Sequence, residues 1–516
     1  VEISGIQTGI SAGSSAGANA LTDVGDIIVT SRRVSVINGG QITNGSIIGQ
    51  TGNLTITGTE SINVENGGGI SSQAFGSPVG TATFSTPNLL INNGFISTST
   101  IGTGNAGPIL IDGGATGIVN ITNGGQIASN SALAATGSGG NVTLNTGTVT
   151  ISGTSPTGNP ASPLNTNPNS GIYSTAAGTG NAGQINITSS TLNMDSAGTI
   201  SVATSGAGNA GSVALNVTNF TQTSGARVDS STSSGGQGGD IVITAANTAT
   251  ISGADTGLFS TASGTGPGGD ITLTAGQMVD LNNNGTLSAQ STGTATATAG
   301  NITITTPLFQ SQNGIVTTGA TLADGGNISI NTTGSLVYLT DSQITTSVQS
   351  GVGGGGNIAI DSELVALDHS GVNADAFGGP GGNINILADV FLSSHSSVTA
   401  SSALSTSGTI DIQATFTDVS GSLAQLPETP LRATELLRAA CAARFAGGKA
   451  SSLVLAGRDA VPYQPGSLLP SPLYLTGPSA ETRTTSQDTK LQFTLLESEN
   501  RYSSRFSLLP NAHCSL

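Results

Sequence analysis

Three short stretches decide how this chain folds: Gly326–Ile330 (GNISI), Gly356–Ile360 (GNIAI) and Gly382–Ile386 (GNINI). Each sets a Gly, a small polar residue and then apolar–any–apolar within five positions. Apolar residues two apart, mostly β-branched, describe a strand with one buried face. The three Gly residues are separated by 30 and 26 positions. A phrase recurring at such a period is the signature of stacked structural repeats.

Followed outward, the phrase has its Gly at Gly25, Gly52, Gly80, Gly107, Gly140, Gly183, Gly211, Gly239, Gly269, Gly300, Gly326, Gly356, Gly382 and Gly408. Eleven of the thirteen gaps fall between 26 and 31; the others are 33 and 43. The longest gap holds Thr154–Ser170, whose Pro and Asn residues mark a loop insertion. The positions two and four after each Gly, from Ile27 and Val29 to Ile410 and Ile412, are all apolar. A second apolar pair and a third short segment follow in many units, as in Leu364/Ala366 and then Val372. Each repeat is therefore expected to hold three short strands separated by turns.

One such unit cannot bury its own apolar face. Stacking each strand on its copy in the next repeat, ~4.8 Å away, lines the inward residues into continuous columns. The expected fold is all-β, a right-handed parallel β-helix by the crossover rule, with about 14 coils of roughly 28 residues over residues 1–425. At that spacing the rod is roughly 70 Å long. The Asn after the repeat Gly recurs at Asn141, Asn301, Asn327, Asn357 and Asn383, and is replaced by Asp240 and Asp270 in two adjacent coils. Stacked amides of this kind form ladders along a rod, a structural role.

Composition narrows the function classes. The chain has 516 residues, 76 of them Gly, with 8% charged residues, 3% aromatics and no Trp. Twelve bases against 28 acids give a net charge of −16, the wrong sign for neutralising phosphates, so no nucleic-acid partner is expected. No apolar run reaches the ~18–20 residues of a membrane-spanning helix, and Gly follows no collagen period. Val1 opens the chain without an apolar, basic leader, so any export signal is expected to lie outside it.

The character of the chain changes after the last repeat. Residues 1–425 carry three bases and 21 acids, whereas residues 426–516 carry nine and seven. At Leu426–Pro430 (LPETP), Thr429 is placed to N-cap a helix with Pro430 in its first position. Leu431–Ala446 then reads as a short helix stopped by Gly447-Gly448. Residues 426–460 are thus expected to cap the open end of the rod, covering strand edges and apolar columns. Residues 461–516 read as a Pro-, Ser- and Thr-rich irregular tail. The two cysteines, Cys441 and Cys514, make no disulfide framework; they are either bridged to each other or free.

The search for chemistry assigns no catalytic, cofactor or metal residue. Polysaccharide-cleaving β-helices need clustered carboxylates or a basic residue in a groove. Here only Arg227 lies between residues 34 and 425, and Asp368-His369 is an isolated dipeptide of the pectate-lyase kind. Two features stay open. His369 and His395 each lie 13 residues after a repeat Gly, with Asp341 in the same column one coil earlier. Such a column is either a solvated turn or a zinc- or proton-binding row. Asp240, in Gly235–Ile243 (GGQGGDIVI), stacks on Asp270 as a like charge unless a calcium ion or a raised pKa relieves it.

The repeat wording resembles secreted adhesins of the filamentous haemagglutinin type. The resemblance is carried by GNAG at Gly104–Gly107, Gly180–Gly183 and Gly208–Gly211, NGGQI at Asn38–Ile42 and Asn123–Ile127, and GNLTITGTESINV at Gly52–Val64. The tail, with Cys441, Ser451-Ser452, Gly457-Arg458, Pro462 and Pro470–Leu473, looks like the C-terminal end of the large exoproteins of that family in cyanobacteria and other Gram-negative bacteria. The resemblance implies two-partner secretion: Sec export, passage through an outer-membrane transporter barrel, and display or release at the cell surface. The family's N-terminal secretion domain is not recognisable, and Val1 is read as lying inside the repeats. The function expected is that of an extracellular structural adhesin, a non-enzymatic stalk binding a surface glycan or protein receptor through many weak contacts. The rival expectations are a β-helical polysaccharide lyase or hydrolase and a passive surface-layer or biofilm component.

Overall fold

Every Gly-plus-apolar phrase forms a strand, and each strand pairs in parallel with its copy in the next repeat. Ile302, Ile328, Ile358 and Ile384 are successive register partners. A computed structural model describes residues 1–14, 23–157, 167–293, 297–332 and 334–418. Over these residues the protein is an all-β parallel solenoid of about 14 turns. The expected helical cap over 426–460, the tail over 461–516, and Cys441 and Cys514 lie outside the described residues.

Each turn presents three faces. The first begins two residues after the repeat Gly, the second follows around a corner, and the third is a separate sheet of 14 parallel strands from Gly9–Gly13 to Ser397–Thr399. Inward residues make continuous columns: Ile241, Ile271, Ile302 and Ile328 on the first face, and Ile200, Val228, Leu258 and Leu287 on the third, are at most 1% exposed. The row ends with Ile410, 44% exposed in the last described coil.

Three separate strands per repeat hold only in some coils. In Val142–Ser152, Val213–Thr223, Ile241–Ser252 and Ile384–Ser394 one bent strand runs through both the first and second faces. Two of the interrupted coils carry Pro87 or Pro307 at that corner, and a proline cannot donate to the ladder. A second expectation is corrected by one residue. Leu364 and Ala366 point outward and are partly exposed, while Val365 and Leu367 are the buried pair. A four-residue apolar run does not reveal its own phase, and a one-residue slip exchanges the faces.

The repeat Gly is required by crowding. A Cβ on Gly356 would lie 1.9 Å from the Gly326 carbonyl oxygen, and one on Gly382 would lie 2.0 Å from that of Gly356. Beneath this corner, buried hydroxyls from the third face satisfy those carbonyls. Ser174 donates to Gly140 at 2.6 Å, Thr318 to Gly326 at 2.7 Å and Thr346 to Gly356 at 2.6 Å. At the turn between the second and third faces at least one residue in each described turn takes a left-handed conformation. Asn38, Asn66, Asn93, Asn123, Asn283 and Asn313 have φ between 49° and 55°, the region Asn tolerates best. The insertion near 154–170 leaves and rejoins its coil through an antiparallel bridge between Thr154 and Asn169.

Candidate functional site

At the corner preceding the first face, the column of Asn and Asp residues forms the ladder expected of it. The Oδ1 of each accepts the main-chain N–H of the same position one coil later: Asn301 from Asn327 at 2.9 Å, Asn327 from Asn357 at 3.0 Å, Asn357 from Asn383 at 3.0 Å. The side-chain amides add parallel rungs of 3.0–3.2 Å. Asn141 accepts from Gln184 at 2.9 Å. Asp240 and Asp270 occupy the same ladder. Asp240 accepts the Asp270 N–H at 3.0 Å, and Asp270 accepts the Asn301 main-chain and side-chain amides at 2.7 and 3.1 Å. The stacked carboxylates are thus interleaved with amide donors.

A second ladder, three positions nearer the start of each repeat, accounts for the Asn of the GNAG phrases. Asn105 accepts the Ser138 N–H at 2.9 Å, Asn181 that of Asn209 at 2.8 Å, and Asn209 that of Gln237 at 2.9 Å. Sequence reading left this Asn without a role, although its recurrence at the repeat period was the available signal.

The column holding Asp341, His369 and His395 is the left-handed turn column, with φ of 49°, 48° and 48°. The two imidazoles stack with centroids 4.8 Å apart and planes within 8° of parallel. The acid grouped with them is Asp368, not Asp341: the ligand atoms of Asp368, His369 and His395 lie within 4.8 Å of one another, the only such trio among the described residues. His369 Nδ1 meets Asp368 Oδ1 at 2.9 Å, and His395 Nδ1 meets Ser394 Oγ at 3.0 Å. Beside the trio lies a hollow of about 390 Å³ lined by Tyr338, Ala366, Leu392, Ser394, Asp368 and Asp418.

On the same outer side of the second face as that hollow runs a partly exposed apolar stripe that the sequence reading did not find. On the outside of the second face Met278, Leu308, Leu336, Leu364, Val390 and Phe416 are successive register partners. A larger concavity, about 660 Å³, lies along the third face between Tyr173, Ser201, Asp229 and Thr261. Asp229 is the acid among its described lining residues, and its Oδ1 accepts the Ser231 N–H at 3.0 Å. Arg227, the lone base of the central coils, stacks its guanidinium 3.8 Å from the centre of the Phe259 ring. On the second face, burial pushes the Asp280 carboxyl above its ordinary range. A hydrogen bond from Asn282 Nδ2 at 2.7 Å pulls the other way.

The class these features define is a parallel β-solenoid with amide-laddered corners. Comparisons of the chain with protein-family models, with curated proteins and with solved structures find no match.

Proposed function

We propose that this solenoid belongs to a secreted, surface-associated structural adhesin of the filamentous haemagglutinin type in a Gram-negative bacterium, exported through an outer-membrane barrel. It serves as a stalk for attachment to a cell-surface or matrix receptor, glycan or protein, and carries no catalytic centre. The observation that carries this reading is the outer surface of the first face. There Thr188, Asn216, Thr244, Thr274 and Thr305 follow one another as register partners, and uncharged hydroxyls and amides repeat at strand spacing. Such a surface offers one weak polar contact many times over, so adhesion strength comes from the number of coils engaged. The fold is equally compatible with polysaccharide enzymes. The attachment reading is preferred because the larger concavity presents Asp229 where glycoside hydrolysis calls for a pair of carboxylates.

The test has two parts. Cell fractionation of the producing organism should place the protein at the surface or in the medium. The purified protein should bind immobilised glycans or matrix with an avidity that falls steeply as coils are deleted. A cytoplasmic location, or the release of new reducing or unsaturated sugar ends from a bound polysaccharide, would overturn the reading.

A further inference from the structure

We infer that His369 and His395 form a divalent transition-metal site of the zinc or copper class, with Asp368 as the group that orients it. The fold places the two imidazoles one strand spacing apart, ring over ring, at 4.8 Å and 8°. Each ring is fixed on its Nδ1 side, His369 by Asp368 at 2.9 Å and His395 by Ser394 at 3.0 Å. The Nε2 atoms are therefore the coordinating pair. In metal-bound histidines a carboxylate or other polar group commonly holds the nitrogen that does not ligate, which sets the tautomer and raises the basicity of the one that does. Asp368 and Ser394 stand in those positions.

Tetrahedral zinc at ~2.0–2.1 Å from each nitrogen needs the two donors about 3.3 Å apart. The parallel rings must splay toward each other at their outer edges to meet that distance. The turn permits this, because the His369 side chain is 56% exposed and no core packing depends on either ring. Both imidazoles are exposed, so solvent water is at hand to complete the coordination. Two imidazoles with water ligands suit zinc, copper and nickel and discriminate against calcium and magnesium, which take oxygen ligands.

The column also supplies the substitution that tests the site. Asn313 and Asn283 hold the same left-handed turn two and three coils before His369, so His369→Asn and His395→Asn retain a residue the turn accepts. The full chain has three histidines, so a spectrum of the protein with ring-labelled histidine contains three imidazole signals. Titration with zinc chloride should shift two of them together; these two should be the signals absent from the His369→Asn/His395→Asn protein, and in either single variant the remaining one of the pair should lose its response. His513 beside Cys514 serves as the internal comparison. By calorimetry Asp368→Asn should weaken zinc binding by roughly 10- to 100-fold while both rings continue to respond. Zinc shifting only the His513 signal, shifting none, or binding the double variant as tightly as the parent would overturn the site. An unchanged affinity in Asp368→Asn would overturn the orienting role.

Discussion

The ladder at the corner makes a quantitative prediction about one amide. Asn327 Oδ1 accepts the Asn357 main-chain N–H and the Asn357 side-chain amide, both at 3.0 Å, and its own Nδ2 donates to Asn301 at 3.1 Å. Asn327→Ala removes all three while leaving the Asn327 main-chain N–H on Asn301. Net hydrogen bonds contribute ~0.5–1.5 kcal/mol each, with exposed ones at the low end. The three together amount to about 1.5 kcal/mol, of which the main-chain bond is roughly 0.5–1. Stability in a stacked array is local, so the assay is amide hydrogen exchange resolved by residue. The Asn357 amide should exchange roughly 2- to 5-fold faster, since 1.4 kcal/mol is tenfold. The adjacent Ile358 amide, which donates to Asn383 O at 2.9 Å, should stay as slow as in the parent. Asn327→Asp keeps the acceptor, as Asp270 does for Asn301, and should retain most of the protection at Asn357. Equal exchange at Asn357 in parent and Ala variant, or equal loss in the Asp and Ala variants, would refute the ladder's contribution.

Other consequences follow from the core, the corner and the one perturbed carboxyl. Phe309, fully buried on the second face, should cost about 3–5 kcal/mol when changed to Ala, measured as a lowered urea midpoint. Gly356→Ala drives a methyl against the Gly326 carbonyl and should lose about 1–3 kcal/mol or more. Gly45→Ala, where a Cβ meets nothing within 4 Å, should melt close to the parent. Burial raises the Asp280 carboxyl pKa in the folded protein, so the folded state holds this proton to higher pH than the unfolded chain does. Stability from that group falls as pH rises from the ordinary carboxylate value to the raised one, then stays reduced. Asp280→Asn should therefore raise the melting temperature at pH 7, with the gap narrowing as the pH falls from the raised value to the ordinary one.

What could be read directly were the features that repeat. The Gly–polar–apolar–any–apolar phrase fixed the first-face strands and their register, because its phase is unambiguous when polar residues alternate. The Leu364–Leu367 run had no such marker, so the wrong pair was placed inward, and with it the outer apolar stripe went unseen. Counting from aligned apolar positions did place Asp341, His369 and His395 in one column. That count runs along the rod and carries no information about direction around it, which is why Asp368, the preceding residue, emerged as the grouped acid only with side chains in place. The joining of first and second faces into one strand was hidden because continuous corners share no residue signature: Val142–Ser152 contains Gly147 there, whereas Val213–Thr223 contains neither Gly nor Pro.

The ladder also has a sense. Each side-chain oxygen sits on an earlier coil, and the N–H it captures sits on the later one. A chain that has wound part of its length already displays, at its advancing edge, the acceptors that the next segment needs, whereas its starting edge offers no equivalent. Winding from the N-terminal side thus behaves like extension from a template with a preferred direction, in the order in which a polypeptide leaves the ribosome.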